Sequence, residues 1–172
     1  MIEFILGGAR SGKSRLAEKK AQESGLEVIY IATATDGDEE MSERISHHRR
    51  QRPEYWQLVE EPLALGSVLR EYAREDRCIL VDCLTLWMTN LLCHSDEELF
   101  ARERACFLEG LTTLEGKIIL VSNEVGMGIV PMGELTRRFC DESGRLHQDV
   151  AALSQTVILT VAGLPHILKD HA

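Results

Sequence analysis

The stretch "GGARSGKS", residues 7–14, lies between a short apolar run, "IEFIL" (2–6), and a segment patterned as a helix, "KSRLAEKKAQES" (13–24). A strand that ends in a glycine-rich turn and passes directly into a helix suits phosphate. The glycines let backbone N–H groups converge on oxygen atoms, and the helix offers its positive N-terminus. The spacing G-x-x-x-x-G-K-[ST] is filled by Gly7, Gly12, Lys13 and Ser14. It assigns Lys13 to the β- and γ-phosphates of a nucleoside triphosphate and the Ser14 hydroxyl to magnesium. A structural turn matching by accident is the alternative, and the strand before and helix after weigh against it.

Four further runs read as buried strands: "EVIYIAT" (27–33), "CILVD" (78–82), "KIILVSN" (117–123) and "TVILTVAG" (156–163). Their near-continuous apolar and β-branched content is what strands covered on both faces require, which implies a parallel sheet. Helical patterns lie between them: "PLALGSVLREYARE" (62–75), with Pro62 at a first helical position, and a segment opening at Ser95, where "SDEE" offers a capping box between Ser95 and Glu98. The alternation predicts an α/β, doubly wound, P-loop NTPase-like fold with a mainly parallel sheet and helices on both faces. At 172 residues the chain fits one domain, 1–172, burying roughly 70% of its unfolded surface. A polar stretch from Asp36 to Pro53 is long enough to leave the sheet.

The net charge of −9 argues against coating nucleic acid or an anionic membrane, since either would repel the chain. Five cysteines, an odd number without C-x-x-C spacing, suggest neither a disulfide framework nor a zinc site, and so a reducing compartment. There is no secretory signal pattern, and no apolar run approaches the roughly 20 residues that span a bilayer. The expectation is a cytoplasmic protein with no membrane insertion and no nucleic-acid partner.

Asp82 closes "CILVD", where a carboxylate at the carboxyl end of a neighbouring strand would hold magnesium through water; a helix-capping role is its alternative. A GTP switch, the non-catalytic reading, would carry N-K-x-D after a strand, and "SNEV" (122–125) does not match. Phosphoryl transfer to a small molecule is the better reading. A second cluster, "HHRRQRP" (47–53), belongs to a predicted helix over 39–52. Its periodicity places Met41, Arg44, Ile45, His48 and Arg52 on one face and Glu40, Glu43, His47 and Arg50 on the other, so His48 is the imidazole turned toward protein or ligand. Three readings stand: a solvated basic helix end, an arginine lid of a small-metabolite kinase, or a nucleophilic His48. In the last, nearby arginines keep the imidazole neutral and screen the triphosphate it attacks. Glu124, in "SNEVGMGIVP" (122–131), is the polar group best placed to meet substrate or metal, or else caps a helix beginning near Gly133.

With "YIATA" (30–34), "RISHHRRQRP" (44–53) followed by Trp56 and Glu60, "WMTNLL" (87–92), "SNEVGMGIVP" and "GRLHQDVA" (144–151), the chain resembles, end to end, the bifunctional adenosylcobinamide kinase / adenosylcobinamide-phosphate guanylyltransferase family of cobalamin assembly. The resemblance implies two reactions. ATP or GTP phosphorylates the aminopropanol hydroxyl of adenosylcobinamide, and GMP then passes from GTP to adenosylcobinamide phosphate through a guanylyl-histidine. His48 is the matching histidine, with Lys13 beside it as the other catalytic group. Nucleotide contacts implied in the same way are Gly7, Gly8, Ala9, Arg10, Ser11, Gly12, Lys13 and Ser14, then Ala32, Thr33 and Ala34, then Arg49, Arg50, Gln51 and Arg52, with Glu60 and Asp82. Ser14 and Asp82 would flank Mg2+. The resemblance also implies a homo-oligomer, a trimer. His147 stands where some relatives carry Asn.

Overall fold

The computed structural model describes residues 1–34 and 53–171. Seven strands form one sheet: β1 (Ile2–Gly7), β2 (Glu27–Ala32), β3 (Gln57–Glu60), β4 (Arg77–Asp82), β5 (Lys117–Asn123), β6 (Thr156–Val161) and β7 (Leu164–Asp170). Their order is β3-β2-β4-β5-β1-β6-β7. All neighbours run parallel except β6 and β7. The helices are α1 (Lys13–Glu23), α2 (Leu65–Tyr72), α3 (Leu84–Leu92), α4 (Leu99–Leu111) and α5 (Glu134–Leu153).

Because side chains alternate across a strand, each buried strand feeds two cores. Phe4, Ile29, Ile31, Ile79, Val81, Ile118 and Leu120 face α2 to α5, packing on Leu69, Trp87, Phe107 and Leu146 among others. Ile5, Val28, Tyr30, Leu80, Ile119 and Val121 face the other way, toward Ala17 and Ala21 of α1 and toward Trp56. The predicted helices-on-both-faces architecture holds, with four helices on one face and α1 on the other among the described residues. The apolar stretch "LTLWMTNLL" is core, since Leu84, Trp87, Met88 and Leu91 are all buried.

Several local expectations are corrected. The helix expected from Pro62 begins at Leu65, because the Glu61 carboxylate accepts from the amides of Leu63 and Ala64 (both 2.8 Å) and shapes a turn first. The capping box at Ser95 does not form. Asp96 takes the amide of Glu98 (3.0 Å) on its side chain and that of Leu99 on its carbonyl, so α4 starts at Leu99. The run "TVILTVAG" ends as a strand at Val161, since Ala162 and Gly163 both take positive φ in the turn to β7. β3 and β7 were not foreseen: both are edge strands whose side chains are largely exposed, so neither has the continuous apolar content of the inner strands. Finally, β4, which carries Asp82, does not neighbour β1, because β5 intervenes. The helix predicted over 39–52 lies outside the described residues.

Candidate active site

The parallel strands end along one edge, and the turn from β1 into α1 sits near its middle. Gly7 has no room for a side chain: a Cβ there would lie 2.3 Å from Ser11 Oγ and 2.7 Å from the Thr160 carbonyl. Gly12, at φ 92°, turns the chain into α1, a conformation that favours glycine. The loop is fastened from within by the Ser11 amide donating to Gly8 O (3.3 Å), and from outside by the Gly163 amide donating to Ser11 O (2.8 Å). Two buried hydroxyls beside it, Ser11 Oγ and Thr160 Oγ1, have no hydrogen-bond partner among the described residues. Lys13 is 8% exposed, and its ammonium donates to Gly8 O (3.2 Å). Burial lowers its pKa, against the raising effect of Asp82 and Cys83. A desolvated cation at the start of a helix, beside a glycine loop, suits a polyphosphate.

Asp82 ends β4 two strands from the loop, and its carboxylate accepts from the Tyr30 hydroxyl (3.0 Å). Sequence reasoning did not single out Tyr30; its place within "YIATA" was the available signal. Thr33 is fully buried and its hydroxyl is occupied: it donates to Cys83 O (2.7 Å) and accepts from the Cys83 amide (3.0 Å). Asn90 of α3 reaches across to donate to the carbonyls of Thr33 (2.8 Å) and Pro62 (3.1 Å). The chain leaving β2 is thereby tied to the chain leaving β3. Ala32 pairs with Asp82 on one side and Glu60 on the other, so Glu60, Ala32 and Asp82 form one row along the edge.

Beyond β5, Glu124 sends its amide to Gly7 O (3.0 Å). Its carboxylate accepts from the Gly126 amide, closing a local turn rather than capping α5. Behind it stands a buried polar chain: Asn123 N donates to Thr85 Oγ1 (2.7 Å), Thr85 Oγ1 lies 3.2 Å from Ser122 Oγ, and Ser122 Oγ lies 2.8 Å from His147 Nε2. His147 Nδ1 is 3.9 Å from Glu124 Oε2. Burial lowers the His147 pKa, Glu124 opposing.

The sheet edge therefore gathers Gly7 to Ser14, Ala32 to Ala34, Glu60 and Asp82. His48, Arg49, Arg50, Gln51 and Arg52 lie outside the described residues. Ser14 and Asp82 offer hard oxygen donors, and no group of three or more His, Cys, Asp or Glu among the described residues could hold a metal alone. Such a pair fits magnesium, which keeps water and phosphate oxygens as most of its ligands.

A parallel sheet whose first strand passes through a phosphate-type glycine loop into α1 defines a P-loop NTPase-type protein. The fold agrees with that of the flagellar accessory protein FlaH from Methanocaldococcus jannaschii, at a TM-score of 0.54 and 15% identity over 98% of this chain and 78% of that one. The sequence profile described as "Cobinamide kinase / cobinamide phosphate guanyltransferase" matches residues 3–168, and the chain belongs to that family. It is 59% identical, over 98% of each chain, to the bifunctional adenosylcobalamin biosynthesis protein CobP of Pseudomonas aeruginosa. To CobU of Escherichia coli, with the same description, it is 38% identical over 95% of this chain and 97% of that one. The protein is accordingly a bifunctional enzyme with kinase and guanylyltransferase activities.

Proposed function

We propose that both reactions are served by the sheet edge around Gly7–Ser14, with His48 carrying the guanylyl group between them. The observation that carries this reading is the buried Lys13 ammonium inside the glycine loop, beside a helix N-terminus and within the field of Asp82. In the first reaction the substrate hydroxyl attacks the γ-phosphorus of ATP or GTP, the bond to the β–γ bridging oxygen breaks, and the nucleoside diphosphate leaves. In the second, a neutral His48 nitrogen attacks the α-phosphorus of GTP and expels pyrophosphate. An oxygen of the cobinamide phosphate then attacks the guanylyl phosphorus, and the phosphorus–nitrogen bond breaks to free His48.

Lys13 neutralises the β- and γ-phosphates, and the loop amides orient them. Mg2+ held by Ser14 and Asp82 would offset the charge that gathers on the departing phosphate oxygens. The Tyr30 hydroxyl keeps the Asp82 carboxylate facing the edge. Arg49, Arg50, Gln51, Arg52 and Glu60 complete the nucleotide contacts. The cytoplasmic setting is supported by the free thiols of Cys78, Cys83, Cys93, Cys106 and Cys140. A homo-oligomer, a trimer by the resemblance, is supported by exposed Val161, Leu164, Ile167 and Leu168 on the β6–β7 hairpin, and light scattering after gel filtration would read its mass.

The test is covalent labelling. With magnesium and GTP labelled at the α-phosphate, the protein should retain label that survives denaturation and alkali but leaves in mild acid, as a phosphoramidate does. His48→Ala should abolish that label while sparing part of the phosphorylation. Retention of label in His48→Ala, or its equal loss in His47→Ala, would remove the assignment.

A further inference from the structure

The phosphorylation needs a group that orients the substrate hydroxyl and receives its proton, and the carboxylates along the edge are unequally placed to do so. Strands lie about 4.8 Å apart, so the order β3-β2-β4-β5-β1 sets Glu60 on the strand about 19 Å from β1 and Asp82 on the strand about 10 Å away. Glu124 directly follows β5, the immediate neighbour, and its amide is bonded to Gly7 at the entrance of the loop. Asp82 is besides engaged by Tyr30.

We propose that Glu124 is the carboxylate that orients the substrate hydroxyl and takes its proton during phosphorylation, and that His147 is the positioning residue that holds Glu124 toward the loop. The hydroxyl oxygen forms its bond to the γ-phosphorus as the bond to the bridging oxygen breaks; the proton passes to Glu124 and from there to solvent, and the nucleoside diphosphate carries away the electron pair. The assignment rests on Gly7–Ser14 holding the triphosphate.

The surroundings of Glu124 suit this role. Its side chain is 22% exposed, open on one side and backed on the other. One oxygen accepts from Gly126 N, the other faces His147, and a carboxylate has lone pairs left for a substrate. The chain Thr85–Ser122–His147 is hydrogen-bonded on the Nε2 side of the imidazole (3.2 and 2.8 Å), which leaves the Nδ1 edge beside Glu124 at 3.9 Å. The imidazole, stacked at a tilt on Phe4 with centroids 5.5 Å apart and within 3.4 Å of Ser143 Oγ, is desolvated and so kept neutral. The imidazole, 3.9 Å from Glu124 Oε2, backs the carboxylate and limits where it can swing.

Four measurements test the proposal: kcat and KM for phosphorylation, binding of a fluorescent GTP analogue, and retention of the α-phosphate label. Glu124→Gln should lower the phosphorylation kcat by about 10²- to 10⁴-fold. KM and nucleotide affinity should stay within about threefold of wild type, and labelling should persist. Glu124→Asp should fall between. His147→Ala should lower kcat roughly tenfold while KM and nucleotide affinity stay within about threefold of wild type. Phosphorylation by Glu124→Gln within about threefold of wild type would overturn the proposal; so would parallel loss of nucleotide binding, which would make Glu124 a part of the loop's architecture. Lys13→Ala separates the levels. If it still phosphorylates, the loop is not the triphosphate site and both readings fall; if it is inactive while Glu124→Gln is active, only the role of Glu124 falls.

Discussion

At Gly7 a single methyl group is enough to disturb the site. Ser11 Oγ, 2.3 Å from a Cβ placed there, could rotate aside, but the Thr160 carbonyl at 2.7 Å is backbone of a paired strand. Gly7→Ala should therefore shift the loop, costing about 1–3 kcal/mol in urea unfolding and at least roughly tenfold in affinity for a fluorescent GTP analogue. Gly8, where a Cβ would meet nothing within 4 Å, supplies the contrast: Gly8→Ala should unfold within about 0.5 kcal/mol of wild type. The glycine spacing was legible because backbone geometry alone demands it. The buried Ser11 and Thr160 hydroxyls were not, since nothing in "TVILTVAG" marks one threonine as standing behind a loop about 150 residues earlier in the chain.

Among the elements, α3 shows how a helix can be both core and scaffold. Its apolar face buries Trp87 and Met88, while Trp87 Nε1 donates to Leu63 O (2.7 Å) and Asn90 holds the carbonyls of Thr33 and Pro62. Removing Asn90 leaves two partly buried acceptors without their donor. Asn90→Ala should destabilise the protein by about 1–3 kcal/mol and raise KM for nucleotide more than it lowers kcat, because the segment after β2 loses its anchor. Thermal unfolding and steady-state kinetics would read the two effects. The elements with strong periodicity or continuous apolar content, β1, β2, β4, β5, β6 and α1, were visible in the sequence. The starts of α2 and α4 were not, because Glu61 and Asp96 divert the first amides into turns, a competition decided by side-chain rotamers. The edge strands escaped for a different reason: β7, "LPHILKD", is exposed along nearly its whole length and buries no face, so its pattern resembles a loop.

Across the whole molecule, the layering of helices on both faces of the sheet buries Cys78 completely near the start of β4. Burial pushes its thiol from the usual 9.0 up to about 11. The folded state therefore favours the neutral thiol: this contribution to stability is complete below the unfolded pKa and is lost as pH rises through the window from 9.0 to about 11. Urea midpoints should fall across that window, and the fall should be shallower in Cys78→Ala. A thiol reagent at pH 8 should modify exposed Cys93 in the native protein and reach Cys78 only on unfolding. The parallel class of the sheet was legible, but its order was not: strand content does not say which runs are neighbours, and the insertion of β5 between β1 and β4 changes which carboxylate stands nearest the loop. The same order bears on biogenesis. β1 is translated well before both its partners, since β2, β3 and β4 precede β5 and β6 in the chain. While the ribosome makes the intervening residues, Ile2, Phe4, Ile5 and Leu6 lack both neighbouring strands, so this segment is a natural client for a chaperone, and the nucleotide-gripping turn attached to it matures only after β5 and β6 have been made.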